Sequence, residues 1–256
     1  MDGDIRFTRK NSTCTLIINR PQKMNSITKA MGEQLQAYAD EINRDKEIKA
    51  VIITGEGDRS FSTGSDLKMF DQYGSPFELR NRTDYCDALR SIRKPLISLV
   101  RGYALGGGFE MVLASDIRIA APSARFAVSE IKNGWIPGSG LIQILSRNIG
   151  YHKAAELIFT ARMIEAEEAL QFGFINAVVP DEEIEDYVQE MADRIGTFSP
   201  VAAQLAKQDL NASMNMGLDM GLQYEKDLAV FSMTTEDSKE GMRAFSEKRE
   251  PRFTGE

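Results

Sequence analysis

The alternation of apolar and polar positions divides the chain into two parts. In the first part, short apolar runs rich in β-branched residues predict buried strands at 14–18, 50–54, 95–100 and 117–120. The helical spacing of Met31, Leu35 and Tyr38 predicts a helix after the first run, with Ser26 as its N-cap. Strands that are separated by helical stretches indicate an α/β core with parallel pairing.

The second part of the chain is mostly helical from about Gly140 onward. Apolar residues at helical spacing predict helices at 151–161, 166–172, 182–198, 201–212 and 216–233. We therefore expect an α/β core over residues 1–195 and a helical C-terminal region over residues 196–256. Neither part contains a repeat, a low-complexity segment or a linker rich in Pro or Gly.

Composition narrows the chemistry that is open to this protein. The 256 residues include one His and two Cys, Cys14 and Cys86, which excludes a His-rich metal site, a four-Cys zinc site and a disulfide scaffold. We expect both thiols to be reduced and no metal to be bound. If the protein is an enzyme that moves protons, carboxylates are the expected carriers.

Charge and hydropathy bear on partners and location. The net charge of −7 and the lack of a basic run disfavour nucleic acid as a partner. The N-terminal segment shows no secretory leader, and no apolar stretch approaches the roughly 20 residues that span a bilayer. We therefore expect a cytoplasmic protein that does not bind membranes.

Two glycine-containing segments follow predicted strands and are suited to binding an anion with the backbone. In 61–67 and in 102–110, glycines allow N–H groups to converge on one point, and a helix that begins within Gly106–Gly108 would have its positive end there. Glu110 would lie on the same helix face as Gly107. The alternatives are a surface loop that caps a helix through Asp66 and a flexible hinge with an exposed glutamate.

A third segment places Glu130 in apolar surroundings. It follows an apolar run at 126–128 and lies next to Ile131 and near Trp135, the only Trp of the chain. Apolar surroundings raise the pKa of a carboxyl group and suit it to donate a proton. The alternative is an exposed glutamate at the rim of a turn. Taken together, the three segments indicate a site for an acyl group.

These segments, in this order, resemble the crotonase (enoyl-CoA hydratase/isomerase) superfamily over nearly the whole chain. The motifs that carry the resemblance are Asn-Arg-Pro at 19–21 with Asn25, the segments 61–67 and 94–108, Asp-Ile-Arg at 116–118, and the C-terminal segments 240–245 and 247–249. The resemblance implies an α/β fold, a spiral of repeated β-β-α units with a helical C-terminal region that packs between subunits. It also implies a trimer or a pair of trimers.

The resemblance further implies a site for acyl-CoA thioesters, with coenzyme A as part of the substrate and no separate cofactor. The backbone N–H groups of Ser65 and Gly107 would polarise the thioester carbonyl. Glu110 would activate water for attack at C3, and Glu130 would deliver a proton to C2. The residues implied to contact the substrate are Lys23, Ser65, Asp66, Leu67, Lys68, Gly107, Trp135 and Lys248.

Because both glutamates are present, the leading hypothesis is a 2-enoyl-CoA hydratase. A carnitinyl-CoA-type dehydratase and an enoyl-CoA isomerase are the nearest alternatives, and a non-catalytic acyl-CoA- or RNA-binding homologue is an alternative of another class. A retaining glycosidase would leave the glycine turns unexplained. One departure from the hydratase pattern concerns residues that the resemblance implies line the acyl end of the substrate site. A Gly-Gly-Thr-Gln-Arg-like run is replaced there by Ser-Gly-Leu-Ile-Gln-Ile at 139–144.

Overall fold

The structure, a computed structural model, describes residues 3–256. Met1 and Asp2, the first residues of the N-terminal segment in which the sequence shows no leader, lie outside the described residues. The strands are β1 (Asp4–Lys10), β2 (Thr13–Asn19), β3 (Ala50–Gly55), β4 (Ser60–Ser62), β5 (Leu96–Val100), β6 (Tyr103–Leu105), β7 (Ile117–Ala120), β8 (Arg125–Ala127), β9 (Ile164–Glu165) and β10 (Ala177–Val178). The first helices are α1 (Lys29–Arg44), α2 (Pro76–Arg80), α3 (Tyr85–Ser91), α4 (Gly107–Leu113) and α5 (Leu141–Ile149). They are followed by α6 (Tyr151–Thr160), α7 (Ala166–Phe172), α8 (Ile184–Gly196), α9 (Pro200–Ser213), α10 (Leu218–Met233) and α11 (Glu236–Glu247).

A six-stranded sheet in the order β1-β2-β3-β5-β7-β10 forms one layer. All its neighbours pair in parallel except β1 and β2. Every residue of the central strand β5 is buried, as the continuous apolar run predicts for a strand covered on both faces. The predicted strands and their parallel pairing are thus confirmed.

A second sheet, in the order β4-β6-β8-β9, runs beside the first. The chain alternates between the sheets, because β3, β5 and β7 are neighbours in the first while β4, β6 and β8 are neighbours in the second. Helices α3, α4 and α5 follow these strand pairs in turn. The predicted spiral of β-β-α units is therefore confirmed.

The start of α1 differs from the prediction. Thr28 caps this helix by accepting a hydrogen bond from Met31 N, whereas the hydroxyl of Ser26 accepts one from Arg20 Nη1. The reason is that Ile27 pairs with Ser65 as an isolated bridge, which keeps the chain extended beyond Ser26. Ser26 as the cap was wrong.

The helices of the second half lie close to their predicted positions. The sequence did not predict α11, whose side chains are mostly polar. Helices α9, α10 and α11 leave large apolar side chains exposed, among them Leu210, Leu218, Met220, Val230, Phe231 and Met233. The division at residue 195 stays a prediction. Within residues 3–256, no helix is both long enough and apolar enough to cross a bilayer.

Three buried phenylalanines form the part of the core that lies beneath the second sheet and α4. The rings of Phe109, Phe126 and Phe174 contact one another with centroids 5.2–5.4 Å apart. Phe109 precedes Glu110 on α4, and Phe126 lies on β8, which leads to Glu130. The cluster therefore fixes the backbone from which both glutamates project.

We expect Phe174→Ala to lower the free energy of unfolding by about 3–5 kcal/mol, because it removes a fully buried ring and leaves a cavity. Urea denaturation measures this change. Phe174→Leu, which keeps most of the apolar volume, should lose less than half as much. An unchanged stability of the alanine variant would contradict the role of the cluster.

Candidate active site

The three segments that the sequence singles out meet at one edge of the second sheet. Strands β4, β6 and β8 are parallel neighbours, so their carboxyl ends lie at the same edge. The turn at 63–66 follows β4, the glycines Gly106–Gly108 follow β6, and Glu130 follows β8. Sheet topology thus brings together residues that are far apart in the sequence.

The first two turns approach each other so closely that neither tolerates a side chain. A Cβ atom on Gly64, whose φ is +82°, would lie 2.7 Å from Gly107 N. A Cβ atom on Gly107 would in turn lie 2.0 Å from the hydroxyl oxygen of Tyr85 and 3.1 Å from Gly64 Cα. Only glycine fits this backbone contact.

The N–H groups of Ser65 and Gly107 are available to a ligand. Ile27 N donates to Gly64 O and Asp66 N donates to Ile27 O, both at 2.8 Å, so Ser65 between them directs its own N–H away from Ile27. Gly107 is the first residue of α4, and the first N–H groups of a helix have no intrahelical acceptor. Both residues line one cavity. Their arrangement suits stabilisation of a developing oxyanion.

Glu110 is buried on α4 and is held by main-chain donors. Its Oε1 accepts hydrogen bonds from Ser139 N at 2.7 Å and, more weakly, from Leu141 N at 3.4 Å. Burial raises the pKa of this carboxyl group, while the two N–H groups oppose that rise by stabilising the ionised form. Glu110 therefore has support for its charge.

Glu130 lies in a different environment, at the start of the 3-10 turn Glu130–Asn133. Burial raises its pKa to about 7, and the nearby Glu110 adds to the rise. Its Oε2 is buried and has no hydrogen-bond partner among residues 3–256. A carboxyl group in this setting retains its proton near neutral pH and can donate it.

All but one of the predicted substrate contacts line the same cavity, which has a volume of about 1180 Å³. The exception is Lys248, which ends α11 and does not line the cavity within this chain. Trp135 packs its ring edge-on toward Phe70, with centroids 6.5 Å apart. The cavity-lining residues among those predicted are Lys23, Ser65, Asp66, Leu67, Lys68, Gly107, Glu110, Glu130 and Trp135.

Asp66 also has a structural role, as one alternative proposed. Its carboxylate accepts from Lys68 N at the start of the 3-10 turn Leu67–Gln72. It also forms an ion pair of 2.7 Å with the buried Arg20, which holds the pKa of Asp66 below its usual range. Asp66 therefore connects the turn at 63–66 to the 19–21 motif.

Sequence reasoning missed the contribution of α3. The hydroxyl group of Tyr85 hydrogen-bonds with Ser65 Oγ at 3.0 Å and touches Gly107, so it contacts both residues whose N–H groups are available to a ligand. Asp84 caps the same helix and accepts a hydrogen bond of 2.6 Å from Ser139 Oγ. No spacing pattern connects α3 to the other segments, so only the fold reveals these contacts.

Comparison with known proteins agrees with this geometry. The sequence model of the family described as "Enoyl-CoA hydratase/isomerase" matches residues 8–256. The chain belongs to this family. Among its relatives, the short-chain-enoyl-CoA hydratase of Clostridium acetobutylicum is 37% identical over 96% of both chains. The crotonyl-CoA hydratase of Syntrophomonas wolfei is 36% identical over 98% of this chain and 97% of its own.

A solved structure extends the comparison to three dimensions. The crystal structure of an enoyl-CoA hydratase from Bacillus anthracis matches the whole of both chains with a TM-score of 0.90 and 35% sequence identity. The predicted family membership and the crotonase fold are thereby confirmed.

We expect Glu130→Gln to stabilise the protein above pH 7 and to have little effect below pH 4.5. The folded state raises the pKa of Glu130 from its ordinary value of 4.5 to about 7, so ionising this group destabilises the fold as pH rises through that window. Removing the charge should add about 3 kcal/mol to the free energy of unfolding above pH 7. Urea denaturation between pH 4 and pH 8 tests this, and a pH-independent difference would contradict it.

Proposed function

We propose that the protein hydrates 2-enoyl-CoA thioesters to 3-hydroxyacyl-CoA by syn addition of water. It would act as a hydro-lyase that needs no cofactor besides the coenzyme A of its substrate. The observation that carries the proposal is the pair of buried glutamates beside two available backbone N–H groups in one cavity. The names of the hydratase relatives support the same reaction.

The environments of the glutamates assign their roles. The N–H groups of Ser139 and Leu141 stabilise the ionised form of Glu110, which suits it to take a proton from water. The raised pKa of Glu130, about 7, suits it to give a proton. Because the two carboxyl groups interact, they titrate as a pair, and the proton gained by one returns to the other through solvent.

The reaction follows from these roles. The thioester carbonyl accepts hydrogen bonds from Ser65 N and Gly107 N, which withdraw electrons from C3. Glu110 removes a proton from water as the oxygen attacks C3, and the electron pair of the double bond shifts toward the thioester oxygen. The two N–H groups stabilise this enolate-like charge, and Glu130 protonates C2. Preorganised donors of this kind lower the barrier because they act on charge that develops during the reaction.

The coenzyme A moiety would occupy the side of the cavity formed by the turn at 65–68. Lys23 and Lys68 line the cavity and are the candidate partners of its phosphates. Lys248 would contribute only from a neighbouring subunit, since it does not line the cavity of its own chain. The cytoplasmic location expected from the sequence stays a prediction.

We expect the purified protein to hydrate crotonyl-CoA, which is measured as a loss of the enoyl thioester absorbance. We expect Glu110→Gln and Glu130→Gln each to lower kcat about 10²–10⁴-fold, as loss of a general acid or base does. Glu56→Gln, at a surface ion pair with Arg6, is the matched control and should retain activity. A wild-type protein inactive on short, medium and long 2-enoyl-CoAs would contradict the hydratase proposal. Retention of activity by one of the first two variants would remove that glutamate from the mechanism.

We also propose that the chain self-associates as a trimer or a pair of trimers through its C-terminal helices. The support is the concentration of exposed apolar side chains on α10, where Leu218, Val230 and Phe231 are each more than half exposed. A stable monomer rarely leaves so much apolar surface uncovered. Packing of these helices against a second copy would bury it.

Light scattering coupled to size exclusion should give a mass of three or six times 28.6 kDa. Val230→Asp combined with Phe231→Asp should lower that mass, because buried charges at an interface are unfavourable. Phe77→Asp, at an exposed aromatic position on α2, should leave the mass unchanged. A monomeric wild-type protein would contradict the proposed assembly.

A further inference from the structure

Glu110 depends on a short polar chain that begins on α3. Ser139 N donates to Glu110 Oε1 at 2.7 Å, and Ser139 Oγ donates to Asp84 Oδ2 at 2.6 Å. Arg90 Nη1 donates to Ser139 O, also at 2.6 Å. The buried Ser139 is therefore held through its N–H, hydroxyl and carbonyl groups, and the N–H group is the one that contacts Glu110.

Asp84 is itself fixed on several sides. Its Oδ1 caps α3 by accepting from Cys86 N and Asp87 N, while its Oδ2 accepts from Arg82 Nη2 at 2.9 Å as well as from Ser139. Its side chain is only 10% exposed. A carboxylate with this many partners has little freedom to move, so it is a rigid anchor.

The hydroxyl group of Ser139 anchors a loop that is rich in glycine. In this protein the loop at 134–140, which contains three glycines, connects the 3-10 turn at Glu130 to α5. A side-chain hydrogen bond restricts the orientation of a peptide group that such a loop would otherwise leave free.

We propose that Ser139 and Asp84 are positioning residues for the hydration reaction: the Asp84–Ser139 hydrogen bond fixes the Ser139 N–H, which orients the Glu110 carboxylate toward the attacking water. The inference rests on the proposed function for its kinetic readout. Neither residue exchanges a proton with the substrate. Their effect is on the placement and the ionisation of Glu110.

The groups that face Glu110 set the direction of the pH effects. From α3, Asp84 raises the pKa of Glu110 by its negative charge and Arg90 lowers it, while the buried Tyr85 and Cys86 lie close enough to feel its charge. Glu130 faces it from the turn after β8. The N–H of Ser139 favours the ionised form of Glu110, so a misplaced N–H raises the pKa.

Two variants separate positioning from general damage. In Ser139→Ala the hydroxyl is lost, so we expect kcat to fall roughly 10- to 100-fold at nearly constant KM, with the acid limb of the kcat/KM profile moved to higher pH. In Asp84→Asn the amide oxygen can still cap α3 from the Oδ1 position, the amide NH2 group then donates to Ser139 Oγ, and the negative charge is gone. Because a hydrogen bond between residues 84 and 139 is kept, we expect that variant to lose less kcat than Ser139→Ala, and because the charge is lost, we expect it to move the acid limb to lower pH. A merely structural role would not shift the two limbs in opposite directions.

Ser115→Ala is the matched control. Ser115 is also buried, and its hydroxyl donates to Met111 O on α4, the helix that carries Glu110, away from the site. Ser115→Ala should lower Tm, because a buried hydroxyl group is lost, without changing the pH profile. Wild-type kcat and acid limb in Ser139→Ala would overturn the proposal.

A second readout keeps this inference separate from the proposed function. The Glu110 carboxyl group can be titrated by ¹³C NMR in glutamate-labelled protein, with its signal assigned from Glu110→Gln. A higher pKa of Glu110 in Ser139→Ala supports the positioning role, and an unchanged one overturns it. If the wild-type protein hydrates no enoyl-CoA, the proposed function fails, and the titration alone decides the positioning role.

Discussion

The close contact between the turn at Gly64 and the turn at Gly107 is the constraint on which the site depends. Because a Cβ atom on either glycine would collide with the other turn or with Tyr85, the two backbones meet only in the absence of side chains. Their meeting places the N–H groups of Ser65 and Gly107 in one cavity. The donors that the site offers to a ligand here are therefore part of the main chain, and their geometry is set by the parallel pairing of β4 and β6.

The two glutamates oppose folding at the pH where they would act. Burial raises the pKa of both, so each ionised carboxylate destabilises the folded state. The phenylalanine cluster and the fully buried strand β5 supply apolar burial directly behind them. Apolar packing holds the carboxyl groups in surroundings that disfavour their charge, and the difference between those surroundings suits the two groups to different chemical roles.

Much of this could be predicted from the sequence, because the decisive signals are local. The β-branched run at 50–54 marks a strand buried on both faces, and three consecutive glycines after a strand mark the start of α4. The two glutamates follow strands, so parallel pairing brings them together. The same local signals did not place the cap of α1, because its start is set by the bridge between Ile27 and Ser65, which are distant in the sequence.

The contributions of α3 were hidden for the same physical reason. Asp84 and Tyr85 act through contacts across the fold, with Ser139 and with Ser65, and each looks like an ordinary helix-start residue in the sequence. A position that acts through a long-range hydrogen bond leaves no periodicity or spacing to detect.

Different walls of the cavity are built from different structural elements. The reacting edge is built from strand ends and the rigid start of α4, whereas the wall that holds Phe70 and Trp135 consists of a 3-10 turn and the loop after Glu130. Loops tolerate substitution better than paired strands, because fewer backbone hydrogen bonds depend on them. The two glutamates and the two available N–H groups are thus positioned by the sheet, whereas the wall with Phe70 and Trp135 is formed by loops. Ser139 lies where the two meet, since it contacts Glu110 on one side and lines the cavity on the other.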